Sequence, residues 1–178
     1  MPENDFQKMR PHPAKSPTGT SGSDRGGFSP APVGYAELSV TSNFTFLTGA
    51  SHPEELVERA AALGHRAVAI TDTNSLAGVV RAHVAAKGAG IPLVVGCRLA
   101  FECGRCVCVY PIDRPAYARL CRLLTLGKRR ASKGECRLAL HDLIEHAEGL
   151  LAVIEPPTVV DDAFIETVRG LRSVFDRD

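Results

Sequence analysis

Between residues 67 and 95 the chain spells strand, helix, strand in a form that leaves few folds open. Ala67-Val68-Ala69-Ile70 is apolar without alternation, and Pro92-Leu93-Val94-Val95 has the same character. Short continuous apolar runs belong to parallel strands covered on both faces. Parallel neighbours need a crossover, and Leu76 to Lys87, ended by Gly88 and Gly90, supplies a helix for it. The unit also occurs just upstream. Ala36 to Thr41 reads as a strand with Leu38 and Val40 on one side, and Ser51 opens a helix through a capping box with Glu54. Pro53 lies in that helix's first turn, Leu56, Val57, Ala60, Ala61 and Leu63 recur at helical spacing, and Gly64 ends it.

After Gly96 the pattern changes. Arg98 to Glu102 and Cys106 to Tyr110 flank a tight turn and read as a hairpin. A helix is expected from Pro115 to Leu126, followed by a basic loop from Lys128 to Gly134. His141 to Ala147 reads as a short helix, Leu150 to Ile154 as a further buried strand of the parallel kind, and Asp161 to Phe175 as an amphipathic helix. The expected fold class is therefore α/β, with mostly parallel strands and one β-hairpin. These strands are too few to close a barrel of seven or eight. Residues 1–33 are rich in Pro, Gly, Ser and Thr and poor in aliphatic residues, which predicts a disordered tail ahead of a domain at 34–178.

Charge and composition exclude several classes of function. The formal net charge is +1, so nothing in bulk draws the chain to nucleic acid or to an anionic membrane, and either role would need a local patch. No apolar run approaches the roughly 18 residues of a spanning helix, and the N-terminus has no apolar h-region, so no secretory signal is expected. Six cysteines in such a chain read as free thiols or metal ligands, and the expected location is the cytoplasm.

In α/β folds sites form at the carboxyl ends of strands. The residues there are Ser39 to Asn43, Thr71 to Asn74 and Gly96 to Arg98. Glu37 to Leu47 with Gly49 to Leu56, Ala69 to Gly78 and Gly90 to Leu99 resemble, in order and spacing, three motifs of the PHP (polymerase and histidinol phosphatase) domain of bacterial error-prone DNA polymerases. These belong to the alpha-subunit type of DNA polymerase III. Leu123 to Arg130 with Lys133 to Cys136 resemble the error-prone branch in particular. The resemblance covers about Gly34 to Pro157 and implies part of a distorted, TIM-like β/α barrel, here a truncated PHP domain.

It also implies a metal cluster, built in metal-binding members from His-x-His, Asp-His and a closing Glu. Here Ser39 and Thr41 stand at the first pair, Asp72 is retained, Thr73 replaces the next histidine, and Arg98 stands at the glutamate. Hydroxyls are poor substitutes for imidazole, and a guanidinium cannot ligate a cation. The expectation is therefore no intact metal site, no catalytic residue and no cofactor, with Arg98 pairing with Asp72 in the vacated space. Asp72 also has a plainer reading, as a helix cap or turn organiser. Zinc, manganese or magnesium belongs only to the alternative, a stand-alone metal-dependent PHP-type phosphoesterase. For the whole protein the resemblance implies DNA polymerase activity, repair and translesion synthesis. For this chain it implies a structural role beside the rest of the polymerase or other replication and repair components.

Lys128, Arg129, Arg130 and Lys133 form the one basic cluster and are the candidate nucleic-acid contacts. Cations also suit a helix C-terminus, so weak or no direct DNA binding is expected. Cys103-x-x-Cys106 with Cys108 matches half a zinc knuckle, but no second ligand pair accompanies it, which favours free thiols. His141 and His146 are five apart, the wrong spacing for one helix face. Asp176-Arg177-Asp178 spells a paired-carboxylate pattern without a rigid strand to carry it.

Overall fold

The structure is a computed structural model that describes residues 34–175. The readings of the 1–33 tail and of Asp176-Arg177-Asp178 lie outside the described residues. In chain order the elements are β1 (Ala36–Val40), α1 (Pro53–Ala62), β2 (Ala67–Ile70), α2 (Val79–Ala89), β3 (Leu93–Val95), β4 (Cys97–Ala100), β5 (Cys106–Pro111), α3 (Arg114–Arg129), α4 (Leu140–Glu145), β6 (Leu150–Ile154) and α5 (Asp162–Phe175).

The first half follows the βαβ grammar. β1, β2 and β3 are parallel neighbours in that order. Val68 and Ile70 of β2 face α1 and α2, where they bury against Val57, Ala60, Ala82 and Ala86. Ala69, between them, points to the opposite side, against Cys108 and Tyr110 of β5. The run Ala67–Ile70 is thus apolar throughout because both faces are covered. The capping motif of α1 sits one residue later than expected. His52 is the N-cap, and its backbone N–H donates to Glu55 at 2.8 Å. Glu54 is thereby released to pair with Arg81 of α2. α2 starts at Val79 rather than Leu76, because Leu76 and Ala77 turn ahead of it, and it runs past Gly88 to end at Gly90.

The second half is an antiparallel sheet, β4-β5-β6. This corrects the reading of β6 as a fourth parallel strand. Leu-Leu-Ala-Val-Ile has no polar residue to mark a face, yet its burial alternates. Leu150 is buried, whereas Leu151 and Val153 are 61% and 53% exposed. On the covered side, Leu99 and Val107 bury with Leu120 and Leu123 of α3 and with Leu138 and Leu143. Each such side chain contributes roughly 1.5–3 kcal/mol.

α3 begins at Asp113, whose carboxylate accepts the Ala116 N–H at 2.7 Å. It ends three residues later than expected, at Arg129. Gly127 is a packing residue inside this helix, since a Cβ there would come within 2.6 Å of Cys136 Sγ and 2.7 Å of Leu138. The basic run is therefore partly the last turn of a helix.

The two sheets meet at Gly96. Thr73 and Arg98 form a parallel bridge, the Arg98 N–H donates to the Asp72 carbonyl, and the Asn74 N–H to the Arg98 carbonyl. The architecture is mixed α/β with one parallel and one antiparallel sheet, and no closed barrel forms among the described residues.

Candidate functional site

The loops leaving β1 and β2, together with the start of β4, converge at the strand ends. Asp72 lies at the centre, 1% exposed. Its Oδ1 accepts the Ser42 backbone N–H at 2.8 Å and the Thr45 hydroxyl at 2.8 Å, and its Oδ2 accepts the Ser42 hydroxyl at 2.7 Å. Thr45 Oγ1 in turn accepts the Thr73 N–H at 2.9 Å. The carboxylate thus ties the 42–51 loop to the end of β2. It does not cap α2, whose N-cap is Gly78. The loop closes on itself through Asn43 N–H to the Ser51 carbonyl at 2.9 Å. Gly49 passes so close to Ser42 that a Cβ would lie 2.0 Å from its carbonyl oxygen.

Arg98 does not pair with Asp72, contrary to the sequence expectation. Its Nε and NH2 donate to the two oxygens of Glu155, at 2.8 and 2.6 Å. The reason is geometric. Arg98 meets Asp72 only through its backbone N–H, while Glu155 follows β6 directly and its own N–H donates to the Cys106 carbonyl. The guanidinium hydrogen bonds hold the Glu155 carboxyl below its usual range, against the opposing effect of burial. The Cys108 thiol donates to Glu155 at 3.4 Å. Its own pKa is raised, first by burial and then by that carboxylate, against the opposing effect of the Ser39 and Tyr110 hydroxyls.

Ser39 is exposed, and its N–H donates to Glu37. Thr41 and Thr73 are half-buried. The structure thus gathers Ser39, Arg98, Cys108 and Glu155 into one polar cluster, and Asp72, Thr73, Ser42 and Thr45 into another. Sequence reasoning placed Ser42 among the strand-end positions without giving it a role, and missed Thr45, Cys108 and Glu155 as residues of this site. Glu155 was within reach of it, since a carboxylate directly after a strand is a site position by the same rule applied to the other strand ends.

This donor set does not fit a cluster of divalent ions. Both oxygens of Asp72 are taken by protein donors, both oxygens of Glu155 face a guanidinium, and hydroxyls stand at the remaining positions. Among the described residues three potential ligands gather only at His141, Asp142 and Glu145, all on α4. There Arg130 already neutralises Asp142, at 2.7 Å.

The basic cluster divides. Lys128 and Lys133 line an open cleft of about 740 Å³ with Arg98, Thr73, Phe44 and Phe46. Arg129 and Arg130 line a different groove, with His146. The six cysteines are free, and Cys97 and Cys108 are buried.

A PHP domain model matches residues 37–167. The chain belongs to the PHP domain family. It is 55% identical over 134 residues to an error-prone DNA polymerase of Caulobacter vibrioides, a match covering 75% of this chain and 12% of that protein. It is 48% identical over 141 residues to error-prone DNA polymerase 1 of Agrobacterium fabrum, covering 79% and 13%. The chain thus spans about an eighth of the length of these relatives. Among solved structures, an amidohydrolase from Chromobacterium violaceum superposes with a TM-score of 0.57 at 20% identity, over 78% of this chain and 73% of that one, and so shares the fold.

Two consequences are measurable. Asp72→Ala strands the Ser42 N–H and two hydroxyls in a buried site and is expected to cost about 3 kcal/mol or more, while Asp72→Asn, which keeps an acceptor, costs less than half of that. Urea denaturation midpoints check both. For Glu155 the folded pKa is lowered from 4.5, so its contribution is present above pH 4.5 and is lost as the pH falls through the lowered value. The pair is about a third exposed, so that contribution is about 1 kcal/mol or less. The stability difference between wild type and Glu155→Gln should be full at neutral pH and vanish in acid; a difference independent of pH contradicts the pairing.

Proposed function

We propose that this chain is a structural portion of an error-prone DNA polymerase, with a strand-end site closed by polar contacts among its own side chains in place of metal. The observation that carries the reading is the Arg98–Glu155 ion pair, with Arg98 at a position where metal-binding members of the family place a carboxylate ligand. An internal cation satisfies the carboxylate that a divalent ion would otherwise serve. The chemistry of a two- or three-metal phosphoesterase, a Lewis acid and a metal-activated water, has no donor set here.

The two sheets are read as adjacent walls of an incomplete TIM-like barrel whose free edges are β1 and β6. Three features support this. The Thr73–Arg98 bridge joins the sheets, the Tyr110 hydroxyl donates across the interior to the Leu38 carbonyl at 2.7 Å, and Leu151 and Val153 expose apolar side chains on the same face of the sheet as Tyr110 and Cys108. Further strands of a larger polymerase would cover that face. The partner is therefore the remainder of such a polymerase, in the cytoplasm, with repair and translesion synthesis as the activity of the whole. No helix among the described residues is long and apolar enough to cross a membrane.

The competing reading is a metal-dependent phosphoesterase acting alone. Purified chain incubated with zinc, manganese or magnesium should hydrolyse bis-p-nitrophenyl phosphate no faster than buffer, and should not extend a primed DNA template. Metal-dependent hydrolysis that disappears in Asp72→Ala would overturn the structural reading.

A further inference from the structure

We propose that α4 carries a surface site for one divalent cation of the zinc class, with His141, Asp142 and Glu145 as its protein ligands. A nitrogen of His141 and one carboxylate oxygen from each acid lie within 4.8 Å of one another. His141 Nδ1 is 3.8 Å from Asp142 Oδ1, and Nε2 of the same ring is 3.0 Å from Glu145 Oε1. Two ligand atoms on one zinc ion stand roughly 3–3.5 Å apart, given metal–ligand bonds of about 2.0–2.2 Å. His141 and Glu145 are i, i+4 on the helix and so share a face. Their side chains are 72% and 56% exposed, which leaves both free to make the small rotations that bring one ring nitrogen and two carboxylates onto a common ion.

An exposed histidine beside a glutamate is by itself only a helix-surface ion pair. Asp142 is what separates this cluster from one. Its side chain is 1% exposed, and its two oxygens are treated differently. Oδ2 accepts from Arg130 NH1 at 2.7 Å and from the Ala139 N–H at 2.8 Å. Oδ1, the oxygen nearer His141, is buried and has no hydrogen-bond partner. A buried polar atom left unmatched costs stability, and an ion is one of the partners that resolves it. A cation between Oδ1 and the imidazole supplies that partner, and the exposed ring gives it a way in from solvent. Arg130 opposes a further positive charge, but its guanidinium is 46% exposed to screening and engages the other oxygen. One nitrogen with two carboxylates suits zinc and its transition-metal neighbours better than magnesium or calcium, which take oxygen ligands. His146 is otherwise engaged, since its Nδ1 donates to the Asp142 backbone carbonyl at 2.8 Å. A helix of six residues is too short to hold by its own hydrogen bonds, so an ion across its turns would stabilise it. This inference is independent of the structural reading above, because it uses none of the strand-end residues.

The test is a titration of the reduced, tag-free full chain with cobalt(II), which occupies zinc sites and carries a visible spectrum. One equivalent is expected to bind without thiolate charge-transfer bands and to be displaced by zinc. His141→Ala and Glu145→Gln should each weaken binding at least about tenfold, the loss that removing even an outer-shell partner brings. Asp142→Asn should do the same. Unfolding midpoints verify that each variant is folded, and the two exposed positions carry the test if Asp142→Asn is not. Zinc should raise the melting temperature of the wild type and not that of Glu145→Gln. His83→Ala, an exposed histidine on α2, and Asp72→Asn should bind as the wild type does. Absence of binding overturns the proposal. So does binding indifferent to Glu145→Gln, which marks a lone surface histidine, or binding that is lost in Cys103→Ser/Cys106→Ser or in Asp72→Asn.

Discussion

One buried carboxylate organises the end of this molecule where function is expected. Asp72 accepts three hydrogen bonds from the 42–45 turn, and through Thr45 it also fixes the Thr73 N–H. Burying a carboxylate is costly unless its lone pairs are matched by donors, and this one is matched entirely from within the chain. The consequence reaches outward. The loop it fastens closes at Gly49 and presents Phe44 and Phe46, while the backbone at Asp72 and Thr73 makes the one isolated β-bridge between the two sheets among the described residues.

The second constraint is the ion pair of Arg98 with Glu155. It links β4 to the end of β6 with two short hydrogen bonds, and Cys108 adds a third contact to the same carboxylate. Metal-binding PHP domains need several carboxylates and imidazoles facing a common space. In this chain the corresponding space is spanned by a guanidinium and lined by hydroxyls. The paired and hydroxyl-bonded groups here satisfy one another. The fold is thereby separable from the chemistry that it supports in metal-binding members of the family.

Much of this was legible in the sequence, and the misses have physical causes. β2, β3 and the crossover helix between them follow from unbroken apolar runs punctuated by glycine, and β1 from the alternation of Leu38 and Val40 with polar neighbours. β6 looked the same as those strands because Leu151 and Val153 are apolar although exposed, so composition concealed an alternation that burial reveals. α3 overran its expected end because Gly127 serves close packing against Cys136 and Leu138 and does not break the helix. The positions of Ser39, Thr41, Asp72, Thr73 and Arg98 were read from motif spacing alone. The partner of Arg98 was not, since Glu155 lies 57 residues away and comes near only through β-sheet pairing. The division of Lys128 and Lys133 from Arg129 and Arg130 likewise depends on where α3 ends and how the turn beyond it runs, which a run of basic letters cannot express.

The central claim is that the strand ends are held by side chains satisfying one another and offer no ligands to a divalent cation. Titrating zinc into isotopically labelled protein and following backbone amide and side-chain carboxyl resonances tests it residue by residue. The account predicts no saturable shift at Ser39, Thr41, Asp72, Thr73, Arg98 or Glu155, whatever happens at exposed histidines such as His141. Shifts at Asp72 and Glu155 that saturate together, with a common affinity, would contradict it.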